Sequence, residues 1–133
     1  MKPVKFQYAR PTNLSSAMEL GGRNDAMVKF IAGGQSLGPM LNLRLVQPDI
    51  LVDITAVSDL KRIEQRPEVL FIGACVTHAD IEDGRVPDVC RGVMRTVAAG
   101  IAYRAVRNRG TIGGSLVHAD PSADWISALA VLG

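Results

Sequence analysis

Apolar positions in this chain recur in short blocks, most of them closed by glycine or proline, and the blocks switch between helical and strand spacing. Leu14, Ala17, Met18 and Leu20 follow Pro11-Thr12-Asn13 and end on Gly21-Gly22. That spacing predicts a short helix capped by Thr12 and stopped by a left-handed glycine. Met27–Ile31 is a β-like run leading straight into Ala32-Gly33-Gly34, and Ile50–Ile54 is a second such run, bounded by Pro48. Leu37–Leu45 is apolar but carries Gly38 and Pro39, so only a short or irregular helix is expected there.

After Ile54 the pattern restarts. Arg62–Gln65 and Glu68–Cys75 read as a hairpin around Arg66-Pro67. Thr77 then caps a helical turn, with Asp80 completing an imperfect capping box. Pro87 opens a clearer helix with Val89, Val93, Met94 and Val97 on one face and Arg91 and Arg95 on another, ended by Gly100. Residues 101–116 are rich in glycine and arginine and show no helical period. Asp120-Pro121 supplies an N-cap and a first-position proline for a last helix, with Asp124 in its acidic first turn and Ile126, Leu129 and Ala130 on its apolar face. The break near residues 55–60 divides the chain into two small α+β lobes, 1–56 and 57–133. The second ends on a helix without the strand expected to follow. It therefore reads as incomplete, as a fragment or a truncated product would be.

Composition narrows the function classes. At 133 residues, 47% hydrophobic and 21% charged, the chain suits one compact soluble domain. A net charge of +2 with 5% aromatics gives no general case for nucleic acid. The basic stretch of Arg104, Arg107 and Arg109 is first read as a solvated or ion-paired face. Cys75 and Cys90 form no CxxC pattern, and an iron–sulfur cluster or structural zinc needs about four ligands, so no metal is expected on this chain. Both thiols are expected reduced, with Cys75 a buried strand residue. Met1–Arg10 is polar and lacks an apolar signal core. The longest apolar runs are about eight residues against the ~20 that span a bilayer, so a cytoplasmic protein without membrane insertion is expected.

The candidate chemistry lies in two glycine pairs, Gly33-Gly34 and Gly113-Gly114, each preceded by β-like residues. Adjacent glycines lack Cβ atoms and permit positive φ, so consecutive backbone N–H groups can converge on an anion such as a pyrophosphate. Ser36 and Ser115 stand ready to add hydroxyl donors. Either pair alone also fits an ordinary tight turn. Gly33 and Gly38 have the spacing of the Walker A glycines, but Pro39-Met40 stands where lysine and a hydroxyl residue are required. No G-x-G-x-x-G opens a helix, which leaves no support for a Rossmann dinucleotide site.

Several strings together resemble the FAD-binding medium subunit of molybdenum hydroxylases, a group that includes aerobic carbon monoxide dehydrogenase, xanthine dehydrogenase and bacterial N-heterocycle dehydrogenases. They are Ala32-Gly33-Gly34-Gln35-Ser36-Leu37, Leu43-Arg44 with Pro48, Asp53-Ile54, and Val106-Arg107-Asn108-Arg109-Gly110-Thr111-Ile112-Gly113-Gly114. The resemblance continues through His118-Ala119-Asp120-Pro121 and Asp124, and so covers essentially the whole chain. It implies an α+β fold of the vanillyl-alcohol-oxidase (PCMH) type, two lobes gripping FAD, with the second lobe expected to be incomplete and the C-terminal domain absent here. It also implies that both glycine turns donate backbone N–H groups to the FAD pyrophosphate, from Ala32, Gly33, Gly34, Gln35 and Ser36 and from Thr111, Ile112, Gly113, Gly114 and Ser115.

By the same resemblance Ile101 falls at an apolar flavin contact, and Asp124 where a carboxylate bonds a hydroxyl of the cofactor's sugar-alcohol region. Val117 falls where it can pack on the ring system. Gln35 and Ser115 depart from the histidine and the aspartate or asparagine that relatives often carry, in turns whose work is done by backbone. No catalytic residue is expected, because the flavin carries the chemistry, and His118 is expected to be a structural hydrogen-bonding histidine. Arg104, Arg107 and Arg109 are candidates to offset pyrophosphate charge, to pair with Asp120 or Asp124, or to dock a partner.

The resemblance implies an electron-transfer subunit partnered by a large subunit with the molybdenum cofactor and a small subunit with 2Fe-2S clusters. A stand-alone flavin oxidoreductase and a non-catalytic assembly fragment are the alternatives.

Overall fold

A computed structural model describes all residues, Met1 to Gly133. Its first half is built on a three-stranded parallel sheet of β1 (Gln7–Ala9), β2 (Val28–Ile31) and β3 (Ile50–Asp53), in the order β1-β3-β2. Central β3 is an uninterrupted apolar run, and Ile50, Leu51 and Val52 are all buried, as a strand flanked on both sides requires. The helix α1 (Leu14–Gly21) joins β1 to β2, and α2 (Leu37–Asn42) joins β2 to β3. Pro39 sits in the first turn of α2, where the missing N–H costs no intrahelical bond. The expectation for α1 is off by one residue at the cap. The Asn13 side chain, not Thr12, accepts from Ser16 N–H at 2.9 Å. The stop is not left-handed either, since Gly22 has a φ of −82°.

A short 3₁₀ turn (Ser58–Lys61) leads into the antiparallel hairpin of β4 (Ile63–Gln65) and β5 (Leu70–Ile72), paired from Ile63↔Ile72 to Gln65↔Leu70. Cys75 is buried, but in the turn beyond β5 and not in a strand. Thr77 forms a full capping box with Asp80 at the start of α3 (His78–Glu82). Then come α4 (Val93–Gly100), α5 (Arg104–Arg107), α6 (Ile112–His118) and α7 (Asp124–Leu132). Val76, Ile81, Val86, Met94, Ala98, Ile112 and Trp125 form the core of this half.

Three further expectations are corrected by how polar side chains are spent. Pro87 does not open a helix, because Asp88 Oδ1 accepts from the N–H groups of Cys90 and Gly92 and folds that segment into a turn. The helix starts at Val93, after Arg91 and Gly92 with positive φ, and its buried residues are Met94 and Ala98, while Val89 and Val93 are exposed. Asp120 likewise closes a local turn through Ser122 N–H and Oγ, so the last helix begins at Asp124 behind Ala123. Its inner face carries Trp125, Ala128 and Leu129, with Ile126 outward. The segment expected to lack helix holds α5 and α6.

Candidate functional site

The first glycine pair stands at the carboxyl end of β2, the place where open parallel sheets present loops to ligands. Gly34 has a φ of +69°, which any larger residue would adopt only under strain. The reversal leaves the backbone N–H groups of Ala32, Gly33, Gly34, Gln35 and Ser36 without an acceptor inside the chain. Five successive free donors around a left-handed residue make an anion nest. The Gln35 side chain braces this loop by donating to the Gly33 carbonyl at 3.0 Å, and its own main-chain N–H stays free.

Gly33 has a second reason to lack a side chain. A Cβ there would lie 2.1 Å from the Arg109 carbonyl oxygen and 2.8 Å from Gly110 Cα. The two glycine-bearing strings of the sequence thus meet backbone to backbone. Gly110 in turn lies against the His78 ring, where a Cβ would come within 2.9 Å of Nε2. His78 N–H donates to the Gly110 carbonyl and Ile112 N–H to the Val76 carbonyl, which fastens the Arg107–Gly114 string to the start of α3.

The second glycine pair is not a tight turn. Thr111 is the N-cap of α6, its hydroxyl accepting from Gly114 N–H at 3.1 Å, and Gly113 and Gly114 form the first helical turn. Gly113 lacks a Cβ because one would fall 2.7 Å from the Ala74 carbonyl oxygen. This placement revises the symmetric role expected of the two strings. Ile112, Gly113, Gly114 and Ser115 already donate their N–H groups to Val76, Ala74, the Thr111 hydroxyl and the Thr111 carbonyl, respectively. Of that string only Thr111 keeps its N–H free of an internal acceptor. The nest is one-sided.

Both strings nevertheless face one cavity of about 680 Å³, lined by Ala32, Gly33, Gly34, Gln35, Ser36, Ile101, Thr111, Gly113, Gly114, Ser115 and Asp124. Its volume falls within the roughly 300–1,000 Å³ of small-molecule sites. Ile112 does not line it. Its side chain is 5% exposed and packs in the core beside Trp125, because the helix start turns it inward. Val117 lines the cavity and is 87% exposed, an apolar side chain held out at the mouth. Asp124 is exposed on the first turn of α7 at the same rim.

The arginines divide. Arg107 forms a two-pronged pair with Glu82 at 2.8 and 3.1 Å and also donates to the carbonyls of Ile101 and Ala102. Arg104 pairs with both Glu82 and Asp83. These contacts clamp α5 to the end of α3 and hold both carboxyls below the usual carboxylate range, Glu82 chiefly through Arg107 and Asp83 through Arg104. Neither arginine reaches Asp120 or Asp124. Arg109 is exposed, and its contribution to the site is its carbonyl against Gly33.

His118 is also exposed, and its side chain makes no hydrogen bond within the chain, which differs from the structural role expected of it. The histidine with that role is His78. It is 5% exposed, and its Nδ1 accepts from Trp125 Nε1 at 3.1 Å. Burial holds its pKa below the ordinary imidazole value, with Arg107 adding to and Asp124 opposing that shift. One residue after a helix cap, nothing local in the sequence marks His78 as buried. Its partner lies 47 positions away.

A chain with a parallel β-α-β unit, a nest of neutral donors and a cavity walled by a second, helical region is built to hold a phosphate-bearing cofactor. Residues 4–133 match the family described as the FAD binding domain in molybdopterin dehydrogenase, and the chain belongs to that family. It is 42% identical over 126 residues to the 6-hydroxypseudooxynicotine dehydrogenase complex subunit alpha of Paenarthrobacter nicotinovorans, covering 93% of this chain and 42% of that protein. It is 36% identical over 124 residues to the carbon monoxide dehydrogenase medium chain of Hydrogenophaga pseudoflava, covering 93% of this chain and 43% of that one. The crystal structure of quinoline 2-oxidoreductase from Pseudomonas putida 86 superposes with a TM-score of 0.91 at 44% identity, over 100% of this chain and 46% of that one. The chain thus spans somewhat less than half the length of these relatives. The α+β architecture expected from the sequence is the one adopted, with a parallel and an antiparallel sheet in sequence order. No helix is long and apolar enough to cross a membrane.

Proposed function

We propose that this chain is the FAD-holding part of the flavin subunit of a molybdenum hydroxylase. The observation that carries the reading is the run of free N–H groups from Ala32 to Ser36, set on the cavity that the second string also walls. A pyrophosphate needs many neutral donors and space for several oxygens, and the nest supplies both without a side chain in the way. The resident group fits these residues. Gly33 and Gly34 give the backbone access, Thr111 adds an N–H, and the hydroxyls of Ser36 and Ser115 stand on the same wall. Ile101 and Val117 offer apolar surface for a ring system, and Asp124 offers an acceptor for a sugar-alcohol hydroxyl. In this reading residues 1–56 and 57–133 act as two lobes closing on the cofactor.

Bound FAD would supply the redox chemistry, receiving electrons from 2Fe-2S clusters on a small subunit and passing them to an external acceptor. The residues of this chain bind and orient the cofactor and exclude water from it. None is assigned to catalysis, to a metal, or to the hydroxylated substrate, which belongs to a large subunit with the molybdenum cofactor. The two free cysteines fit a reducing cytoplasmic setting. Purification of the native complex tests the whole reading. FAD, molybdenum and iron in one assembly containing this chain is the expected result. A flavin-containing protein that purifies without molybdenum or iron would contradict the partnership, favouring a stand-alone flavin enzyme, and an assembly without flavin would contradict the cofactor.

A further inference from the structure

Five titratable side chains line the cavity, and His78 alone among them is buried, while Lys29, His118, Asp120 and Asp124 are exposed. Its hydrogen bond with Trp125 determines where its proton sits. An indole N–H can only donate, so His78 Nδ1, 3.1 Å away, must be the bare acceptor nitrogen. The neutral ring then carries its hydrogen on Nε2. That nitrogen has no partner in the chain. No enclosed side-chain nitrogen or oxygen of this protein lacks a partner, so Nε2, beside Gly110, is not sealed in the core, and His78 is among the residues that line the cavity. The fold alone does not account for it. The bond that ties His78 to Gly110 uses the main-chain N–H, which any residue would supply.

We propose that His78 contacts the cofactor directly, its Nε2–H donating to an acceptor atom of bound FAD, with Trp125 acting through it as a positioning residue that fixes the tautomer. The inference rests on the reading of this cavity as the FAD site. Burial holds the imidazole below its ordinary value, so near pH 7 the ring is neutral and Nδ1 stays free to accept from Trp125 while Nε2 carries the hydrogen.

Nitrogen-15 spectra of the histidine rings, recorded without and with saturating FAD, test the proposal on the unaltered chain. The expected spectrum shows a protonated Nε2 and a bare Nδ1 at His78, with Nε2 moving when FAD binds. Two variants separate contact from packing. His78→Gln keeps an N–H group near the Nε2 position, whereas His78→Asn keeps only an acceptor toward Trp125. FAD affinity is expected to fall roughly tenfold in His78→Asn and to stay within about threefold in His78→Gln, the scale of one hydrogen bond. Trp125→Phe is expected to mix the tautomers and weaken FAD binding. A His78 Nε2 signal unmoved at FAD saturation, or equal affinity in the unaltered protein and His78→Asn, would overturn the contact while leaving the FAD site intact. An unaltered chain that takes up no FAD would overturn the FAD reading and this inference with it.

Discussion

At Gly33 a hydrogen stands where any other residue would put a carbon 2.1 Å from the Arg109 carbonyl oxygen. The obstacle is backbone, which cannot swing aside as a flexible side chain does. Gly33→Ala is therefore expected to push the two strings apart, with a stability loss at or above the usual 1–3 kcal/mol of overpacking, about 2 kcal/mol or more, read as a lower denaturant midpoint. Gly100→Ala, which meets nothing within 4 Å and is not followed by proline, is the control and should not lower the midpoint. The sequence carried the importance of both glycine pairs but not their difference. Gly34 serves a left-handed turn, whereas Gly113 serves close packing on Ala74 inside a helix. Adjacent glycines look alike in either role. What distinguishes them is the neighbour each one meets, and that neighbour is distant in sequence.

Elements begin and end here according to which polar side chain finds an N–H first. Thr77 was legible because its partner Asp80 is local, and the box is complete in the structure. Thr77→Ala should cost about 1 kcal/mol of stability, the typical value of an N-cap, seen in thermal or denaturant unfolding. Pro87 and Asp120 were misleading because of how the Asp88 and Asp120 side chains are spent. Each closes an Asx-type turn just ahead of a helix, spending the oxygen that would have capped it. The clamp between α3 and α5 was not legible as to partner, because Glu82 and Asp83 lie about a score of residues upstream of Arg104 and Arg107. Arg107 is the less exposed of the two, at 12% against 46%, and it also holds two carbonyls. Arg107→Ala should therefore lower the unfolding temperature more than Arg104→Ala, and Arg107→Lys should recover only part of it, since lysine cannot make the two-pronged contact.

For the molecule as a whole, acid should act in two stages. His78 is held below the ordinary imidazole value by burial, so the native state binds fewer protons than the unfolded chain. Its contribution is fully present above about pH 6.5 and is lost as pH falls below that, with a slope of at most about 1.4 kcal/mol per pH unit for one proton. Asp53 and Asp80, with Glu82 and Asp83 of the arginine clamp, contribute to the second stage. Burial pushes the carboxyls of Asp53 and Asp80 up, but hydrogen bonds outweigh it, from Thr55 and Tyr8 for Asp53 and from Thr77 and Arg85 for Asp80, and hold both below the usual range. Their contribution is lost as pH falls from about 4 through those lowered values. Denaturant midpoints measured from pH 8 to pH 3 should show both declines, and His78→Gln should remove the first. At this scale the sequence conveyed an α+β fold, because its apolar blocks are local. It did not convey that the donors come from one string only, since that depends on acceptors at Ala74 and Val76.

The central claim is that the nest from Ala32 to Ser36 holds the pyrophosphate of FAD. Fluorescence titration of FAD and of riboflavin with this chain tests it most directly, because the two share a ring system and only FAD has the phosphates. Saturable one-to-one binding of FAD, at least tenfold tighter than riboflavin and lost in Gly33→Ala, is the predicted result. Absence of saturable FAD binding, or equal affinity for riboflavin, would contradict it.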